Sequence, residues 1–509
     1  MEFNQDNRAF RAPYIVLDTV AEQLADVDLT LPDYCPNIEK ILKSTLIPKL
    51  RSKNLSGGQL QLEGVCVVNV MYVESEKKTI RCCEQSVDFS QSFSVKDAGE
   101  NYIVLTKTKS EYINCRALSP RRLVMHGAFS LYAKVISSRK TELFTPDEGN
   151  LQTYREQIRL SDLKSNCQEQ FTISEEISVA DKPAVESILY SKVKAGITDA
   201  KAIGGKLMLN GEIGIRLFYL TDIETGETAK LDYLLPFNQI IDCEGIDEDT
   251  ENIFNCEVMT FDIRLKNDIL SDKPALAFDA MLCVSAQGYC SDQTDVITDA
   301  YSTEFACAPQ FSTLKYIGGV CSVNDVFIEK LTANVSDGKI AKVLDIFADS
   351  VSLDTACSDG MLSAKGKINL CILAQNEDGY PVFVERGFDF ERVLPSASGC
   401  NSFLFENAGV LSVSYRLMDD NSVEIRCEIK ICGGAVRRES ITALSGVEIF
   451  EDKPLENDGR ALTLYYASTG ESIWDIAKSH NTRPELLLCE NSLEDYVLDC
   501  DKMLLIPKL

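Results

Sequence analysis

A strict period of two runs through three stretches of this chain, and no other feature restricts its fold as tightly. In 206–220, Leu207, Leu209, Gly211, Ile213, Ile215, Leu217 and Tyr219 occupy alternate positions. Such alternation puts one apolar set on one face of a β-strand. The same series passes through Leu60, Leu62, Gly64, Cys66, Val68, Val70 and Tyr72, and again through Leu362, Ala364, Gly366, Ile368, Leu370 and Ile372. The central glycines are 147 residues apart (64 to 211) and then 155 (211 to 366). Solenoid units repeat every ~20–50 residues, so a period this long indicates whole domains in tandem.

A second landmark keeps step with the first. Asp33, Asp181 and Asp337 precede the glycines by 31 (33 to 64), 30 (181 to 211) and 29 (337 to 366) residues. Asp33 suits a helix cap and Pro36 a first turn, and Ile38, Ile41 and Leu42 have helical spacing. Asp181, Pro183, Val185, Ile188 and Leu189 repeat the pattern, while Gly338 and Lys339 replace the proline in the third copy. One helix is therefore expected ahead of each glycine strand. A second alternating strand closes each copy, centred on Gly127, Ala280 and Cys427. Many short strands between turn signals predict a mainly β fold of three tandem β-sandwich or barrel-like repeats. The expected divisions are an extension over 1–23, repeats over 24–165, 166–315 and 316–449, a linker over 450–461 and a last unit over 462–509.

Composition excludes several roles. A net charge of −27 opposes non-specific nucleic-acid binding, which needs clustered Lys and Arg. No apolar run is long enough to span a bilayer. The first residues lack the basic region, apolar core and cleavage site of a signal peptide, so a cytosolic start is expected. The 19 cysteines contain no CxxC pair and no zinc spacing, and their odd count with the missing signal argues against a disulfide framework. Most are expected to be small core hydrophobes.

The last unit reads as strand, helix, helix, strand, an α+β (βααβ) order. Tyr465, the turn Thr469-Gly470-Glu471-Ser472-Ile473-Trp474, Ile476-Ala477, Pro484-Glu485-Leu486-Leu487, Asn491 and Leu505-Ile506-Pro507 resemble a LysM domain, a module that binds N-acetylglucosamine glycans. The resemblance implies a shallow glycan groove between Gly470, Glu471, Ser472 and Ile473 on one side and Asn491, Ser492 and Leu493 on the other. Where that family has a Pro-Gly turn before the last strand, Asp499-Cys500 stands here.

The repeats resemble the SPOCS domain through Leu31-Pro32-Asp33, Pro36-Asn37-Ile38-Glu39-Lys40-Ile41-Leu42, and the glycine pairs Gly57-Gly58 and Gly204-Gly205. Three such domains followed by one LysM is the layout of the SipL-like spore-coat morphogenesis proteins of Firmicutes. The resemblance implies a non-enzymatic scaffold in the mother-cell cytoplasm at the forespore surface. Its implied partners are the coat basement-layer ATPase, similar to stage IV sporulation protein A, and peptidoglycan or its N-acetylglucosamine-containing precursor. No cofactor, catalytic residue or metal ligand is implied.

A search for catalysis agrees with that expectation. The two histidines, His126 and His480, read as an outward strand residue and a helix C-terminal residue. Ser75–Lys78 and Ser161–Lys164 fit S-x-x-K without the companion motifs of an acyltransferase. Asp247–Glu251 is acidic but lacks the glycine and terminal glutamate of a calcium loop. Glu471 and Asp475 would share a helix face but with no pocket to separate their pKa values. The rival reading is a peptidoglycan-binding adaptor or LysM-targeted cell-wall hydrolase.

Overall fold

A computed structural model describes residues 9–97, 99, 101–146, 151–179, 181–266, 275–334, 339–358, 360–419, 421–455 and 462–507. The first repeat comprises β1 (Ala9–Thr30), β2 (Ile38–Ser56), β3 (Gln59–Glu74), β4 (Ile80–Ser94), β5 (Tyr102–Ser119) and β6 (Arg122–Glu142). The second comprises β7 (Leu151–Ser178), β8 (Ser187–Ile203), β9 (Lys206–Asp222), β10 (Glu227–Asp242), β11 (Glu251–Lys266) and β12 (Ala275–Ser302). The third comprises β13 (Phe305–Asn334), β14 (Ile340–Ser358), β15 (Met361–Asn376), β16 (Pro381–Val393), β17 (Ser402–Asp419) and β18 (Ser422–Pro454). In every repeat strands two, three and four form one antiparallel sheet, and strands one, six and five form the other. The two sheets pack as a sandwich-like unit and none closes into a barrel.

The expected glycine strands are β3, β9 and β15, the middle strands of their sheets. Each glycine lies under an aromatic ring from the next strand. Gly64, Gly211 and Gly366 pair with Phe89, Phe237 and Phe390. A Cβ on Gly211 would stand 2.3 Å from the Phe237 ring, so only glycine leaves room for it.

Among the described residues the expected helices are absent. Asp33 and Pro36 lie in a turn that feeds β2, and the second copy enters β8 in the same way. The buried Tyr72 and Tyr219 donate hydroxyls to the Pro36 and Pro183 carbonyls at 3.4 Å, fixing each proline at a turn. Tertiary packing thus overrides a short helical pattern. In the third copy Asp337 and Gly338 lie outside the described residues.

Three further placements differ from the sequence reading. Ala9–Thr30, expected in part as an extension, pairs along its length with β6. Residues 151–165 pair with β12 of the second repeat, and Phe450 of the expected linker still pairs with β13. β18 runs on through Pro454, which pairs with Phe305, and residues 456–461 of the expected linker lie outside the described residues.

Each repeat has its own core, and the three also meet one another. Leu42, Leu189 and Leu344 share one buried cluster with Met71, Phe218 and Leu373. These are equivalent positions, since both sets obey the 147- and 155-residue offsets of the glycines. A second cluster joins Phe10, Ile158 and Leu314 with Leu143, Val296 and Ala443, also matched positions. It is built by the extended ends of strands one and six, which run beyond the sandwiches. The three repeats are therefore arranged about a common centre with pseudo-threefold order.

Candidate functional site

The C-terminal unit consists of β19 (Leu462–Ala467), α1 (Ile473–Ser479), α2 (Pro484–Glu490) and β20 (Lys502–Pro507). β19 and β20 pair antiparallel, and the βααβ order is consistent with a LysM-like module. Its core holds Ala467, Ile473, Ile476, Ala477, Leu487, Leu504 and Ile506. Ser472 caps α1 by accepting the Trp474 backbone N–H at 3.2 Å.

The unit docks on the end of the second repeat. Trp474, the only tryptophan in the chain, is 6% exposed and donates Nε1 to Asp299 Oδ2 at 2.8 Å. Lys478 Nζ reaches the same carboxylate at 2.6 and 2.7 Å. The rings of Tyr301 and Tyr154 lie 4.9 and 5.3 Å from the indole. Tyr301 also donates its hydroxyl to the Thr482 carbonyl at 2.6 Å. Burial, with smaller contributions from Glu485 and Asp299, keeps the Tyr301 phenol well above its ordinary range. The indole is thus committed to the junction and offers no open platform for a sugar.

The expected groove residues divide into two groups. Gly470, at φ +87°, donates its N–H to the Leu498 carbonyl at 2.8 Å, and Leu498 N–H returns to the Glu471 carbonyl at 3.0 Å. Ile473 N–H meets the Tyr496 carbonyl at 2.8 Å, while the Ile473 side chain is buried. The loop 470–473 is therefore zipped to 496–498. Asn491 is turned elsewhere. Its side chain donates to the Leu487 and Leu505 carbonyls, both at 2.8 Å, and accepts Leu505 N–H at 2.7 Å. Asn491 ties the end of α2 to β20. Ser492 takes φ +50° in the turn that follows, and Leu493 packs on the core. Tyr496 and Val497, 46% and 57% exposed, stand beside the first loop and were not singled out in the sequence. Their signal was two apolar residues inside an acidic turn.

Other residues weighed in the sequence have ordinary surroundings. His126 is exposed on β6 with Asp26 3.1 Å from Nδ1, and His480 ends α1. Lys78 contacts Glu39 and the Ser75 carbonyl. Ser161 shares a 2.8 Å hydrogen bond with Ser291, and Lys164 reaches Asp162 at 2.5 Å. Asp247 and Thr250 close a turn. Glu471 stands before the α1 cap and faces the Tyr465 hydroxyl.

Most cysteines fit the expected packing role. Cys66, Cys371 and Cys427 are buried on middle strands, and burial pushes the Cys66 thiol up to about 12. One pair corrects that expectation: Cys167 and Cys243 are joined by a disulfide across the two sheets of the second repeat. The odd count could not reveal a pairing between a strand and a distant loop.

Residues 37–118 and 184–266 match the family model described as SipL, SPOCS domain. Each match spans strands two to five of its repeat, so the first two repeats carry the same domain in the same place. Together they cover about a third of the chain, and they associate it with spore-coat morphogenesis proteins of the SPOCS type. The third repeat has the same strand order. No curated protein and no solved structure matches the chain. Among the described residues no helix is long and apolar enough to cross a membrane.

Proposed function

We propose that this protein is a non-enzymatic scaffold of spore-coat morphogenesis that anchors the coat basement-layer ATPase at the forespore surface, on its mother-cell side. The observation that carries the reading is the pair of SPOCS matches on corresponding strands of two repeats. Three fused sandwiches give several related faces at fixed separations, and linked binding sites raise effective concentration without new contacts. Each three-stranded sheet has two outer strands, which suit partner docking by strand addition.

The C-terminal unit is the attachment module in this reading. Its ligand is a partner protein or an N-acetylglucosamine glycan such as peptidoglycan. Gly470, Tyr496 and Val497 form the exposed rim, with the half-buried Glu471 and Ser472 beside them. Asn491 ties the end of α2 to β20, and Ser492 and Leu493 continue the turn after it.

The test is localisation of fluorescent fusions in sporulating cells. The whole chain should form a ring around the forespore, and a chain ending at Leu455 should weaken it or collapse it to a cap. An unchanged ring would move attachment into the repeats. Diffuse signal from the whole chain in cells with a normal coat would overturn the proposal. Sedimentation of the purified chain with peptidoglycan, with and without Tyr496→Ala, separates glycan from protein as the ligand.

A further inference from the structure

The disulfide of the second repeat joins Cys167 on β7 to Cys243 in the loop between β10 and β11, 76 residues apart. The third repeat places two thiols in the corresponding elements. Cys321 lies on β13, the counterpart of β7, and Cys400 lies between β16 and β17, the counterpart of the β10–β11 loop. Cys167 faces Ala286, six residues beyond Ala280, and Val323 faces Gly433, six beyond the matched Cys427. Cys321 is two residues before Val323 and so lies on the same face, opposite Ala435.

The two thiols lie in one neighbourhood. Cys321 packs against the core cluster that holds Cys400, and its Sγ donates to the Ser396 carbonyl at 2.6 Å, four residues before Cys400 in the same loop. Cys321 reaches solvent, whereas Cys400 is 5% exposed within the third core. One sulfur is open to a reagent, and the other is held behind it.

We propose that Cys321 and Cys400 form a disulfide, with the exposed thiol attacking and the buried one resolving, and that it staples the two sheets of the third repeat. The oxidant is a low-molecular-weight disulfide, RSSR. The Cys321 thiol gives up its proton, and its thiolate attacks one sulfur of RSSR. The S–S bond breaks and RS⁻ leaves, taking up that proton as RSH. Cys400 then gives up its proton and attacks the Cys321 sulfur of the mixed disulfide. The second RS⁻ leaves and is protonated in turn. The two protein thiols have lost two electrons and two protons, and RSSR has become two RSH.

The placement prepares both roles. The neighbouring Cys400 thiol lowers the Cys321 thiol from its ordinary range, which favours the thiolate that attacks. The Cys321 thiol, reinforced by burial, raises the Cys400 thiol. Cys400 is therefore a poor first nucleophile, but it sits beside the sulfur it must attack.

The experiment uses the full chain, first reduced and then exposed to oxidised glutathione. Remaining thiols are trapped with N-ethylmaleimide, and the digest is read by mass spectrometry. A peptide linking Cys321 to Cys400 should appear, and it should persist in the Cys167→Ser/Cys243→Ser chain, which excludes shuffling. Cys400→Ser should leave Cys321 as a mixed disulfide with glutathione. Cys321→Ser should leave Cys400 alkylated only after denaturation. A wild-type chain with Cys321 held as the mixed disulfide and Cys400 still free would overturn the proposal. So would linkage of either residue to another cysteine in place of its partner.

Discussion

The apolar centre shared by the three repeats and the polar contacts between them follow opposite rules. At the centre, equivalent positions keep equivalent chemistry: Leu42, Leu189 and Leu344 on strands two, eight and fourteen, with Met71, Phe218 and Leu373 opposite. One residue further on, Lys43, Tyr190 and Asp345 are equally equivalent by offset and share nothing chemically. Lys43 reaches Asp349 at 3.0 Å, which joins repeats one and three. Asp345 accepts from Arg216 at 2.6 Å and lies 3.0 Å from Lys230, which joins two and three. Lys53 meets Glu257 at 2.8 Å, which joins one and two. The apolar layer favours association of any repeat with any other. The polar layer distinguishes the three junctions, because each cation finds its anion at only one of them.

The largest effect should follow from truncating the shared centre. Phe218 is 1% exposed, and Phe218→Ala should cost about 3–5 kcal/mol in urea unfolding, the usual range for a large buried ring. Leu42→Ala and Leu344→Ala, in different repeats, should destabilise the same cooperative transition. Separate transitions for the three repeats would break the account of a common centre.

A pH ramp tests the polar layer next. Lys194 on β8 donates Nζ to the Val410 carbonyl of the third repeat. Burial, then the charges of Lys192 and Arg216, lowers its pKa to about 7. The unfolded chain, with an ordinary lysine near 10.5, binds the extra proton between these values. The contribution of Lys194 to folding stability therefore rises with pH from about 7 to 10.5, and below that window its penalty is constant. At about 1.4 kcal/mol per unit the ramp is at most roughly 4–5 kcal/mol. Lys194→Met should flatten it, which calorimetry at stepped pH would record. An unchanged slope would mean that the amine stays charged in the folded interior.

How much of this was legible in the sequence varies by residue. The alternation around Gly64, Gly211 and Gly366 marked the inward face of three strands, because period two has one structural meaning; their middle place came only with the sheet topology. Its breakdown was also a signal. Leu217, Phe218, Tyr219 and Leu220 are all buried, as are Leu370 through Ala374, because the strand ends face a sandwich core on one side and the shared centre on the other. Phe89, Phe237 and Phe390 follow their glycines by 25, 26 and 24 residues (64 to 89, 211 to 237, 366 to 390), a repeat visible in the sequence but meaningful only once strand register is known. The expected helices failed because Ile38, Ile41 and Leu42 also suit a bulged strand, and the Tyr72–Pro36 clasp is a long-range fact. At the candidate site the loop 470–473 was picked out only through the resemblance to a LysM domain. Its partner 496–498 was not, because backbone hydrogen bonds across a loop leave no side-chain signature.

Asp345 sharpens the comparison at intermediate size. Its side chain is fully buried, and Oδ1 takes the Arg216 contact, the Lys230 contact and the Ile346 N–H. Asp345→Asn keeps the shape and an acceptor but leaves two cations without their counter-charge. A loss of about 2–4 kcal/mol is expected, because removing one member of a buried pair strands the other. Restoring stability with Arg216→Met in the same chain would locate the cost in the stranded charge. No recovery would place it in the lost hydrogen bonds.

The smallest effect should come from a charge pair of the same kind placed in water. Lys77 of the first repeat meets Glu224 of the second, with side chains 45% and 79% exposed. In high dielectric the attraction is weak, and holding two long side chains in one geometry costs entropy. Lys77→Ala should therefore change stability by no more than about 0.5 kcal/mol, a difference that added salt removes. Differential unfolding at low and high salt measures it. If Lys77→Ala cost as much as Asp345→Asn, the junctions would be held at their rim, and burial would no longer separate the pairs that matter from those that do not. A negligible loss at Lys77 beside a large one at Asp345 would leave burial, rather than the presence of an ion pair, as what distinguishes one junction from the next.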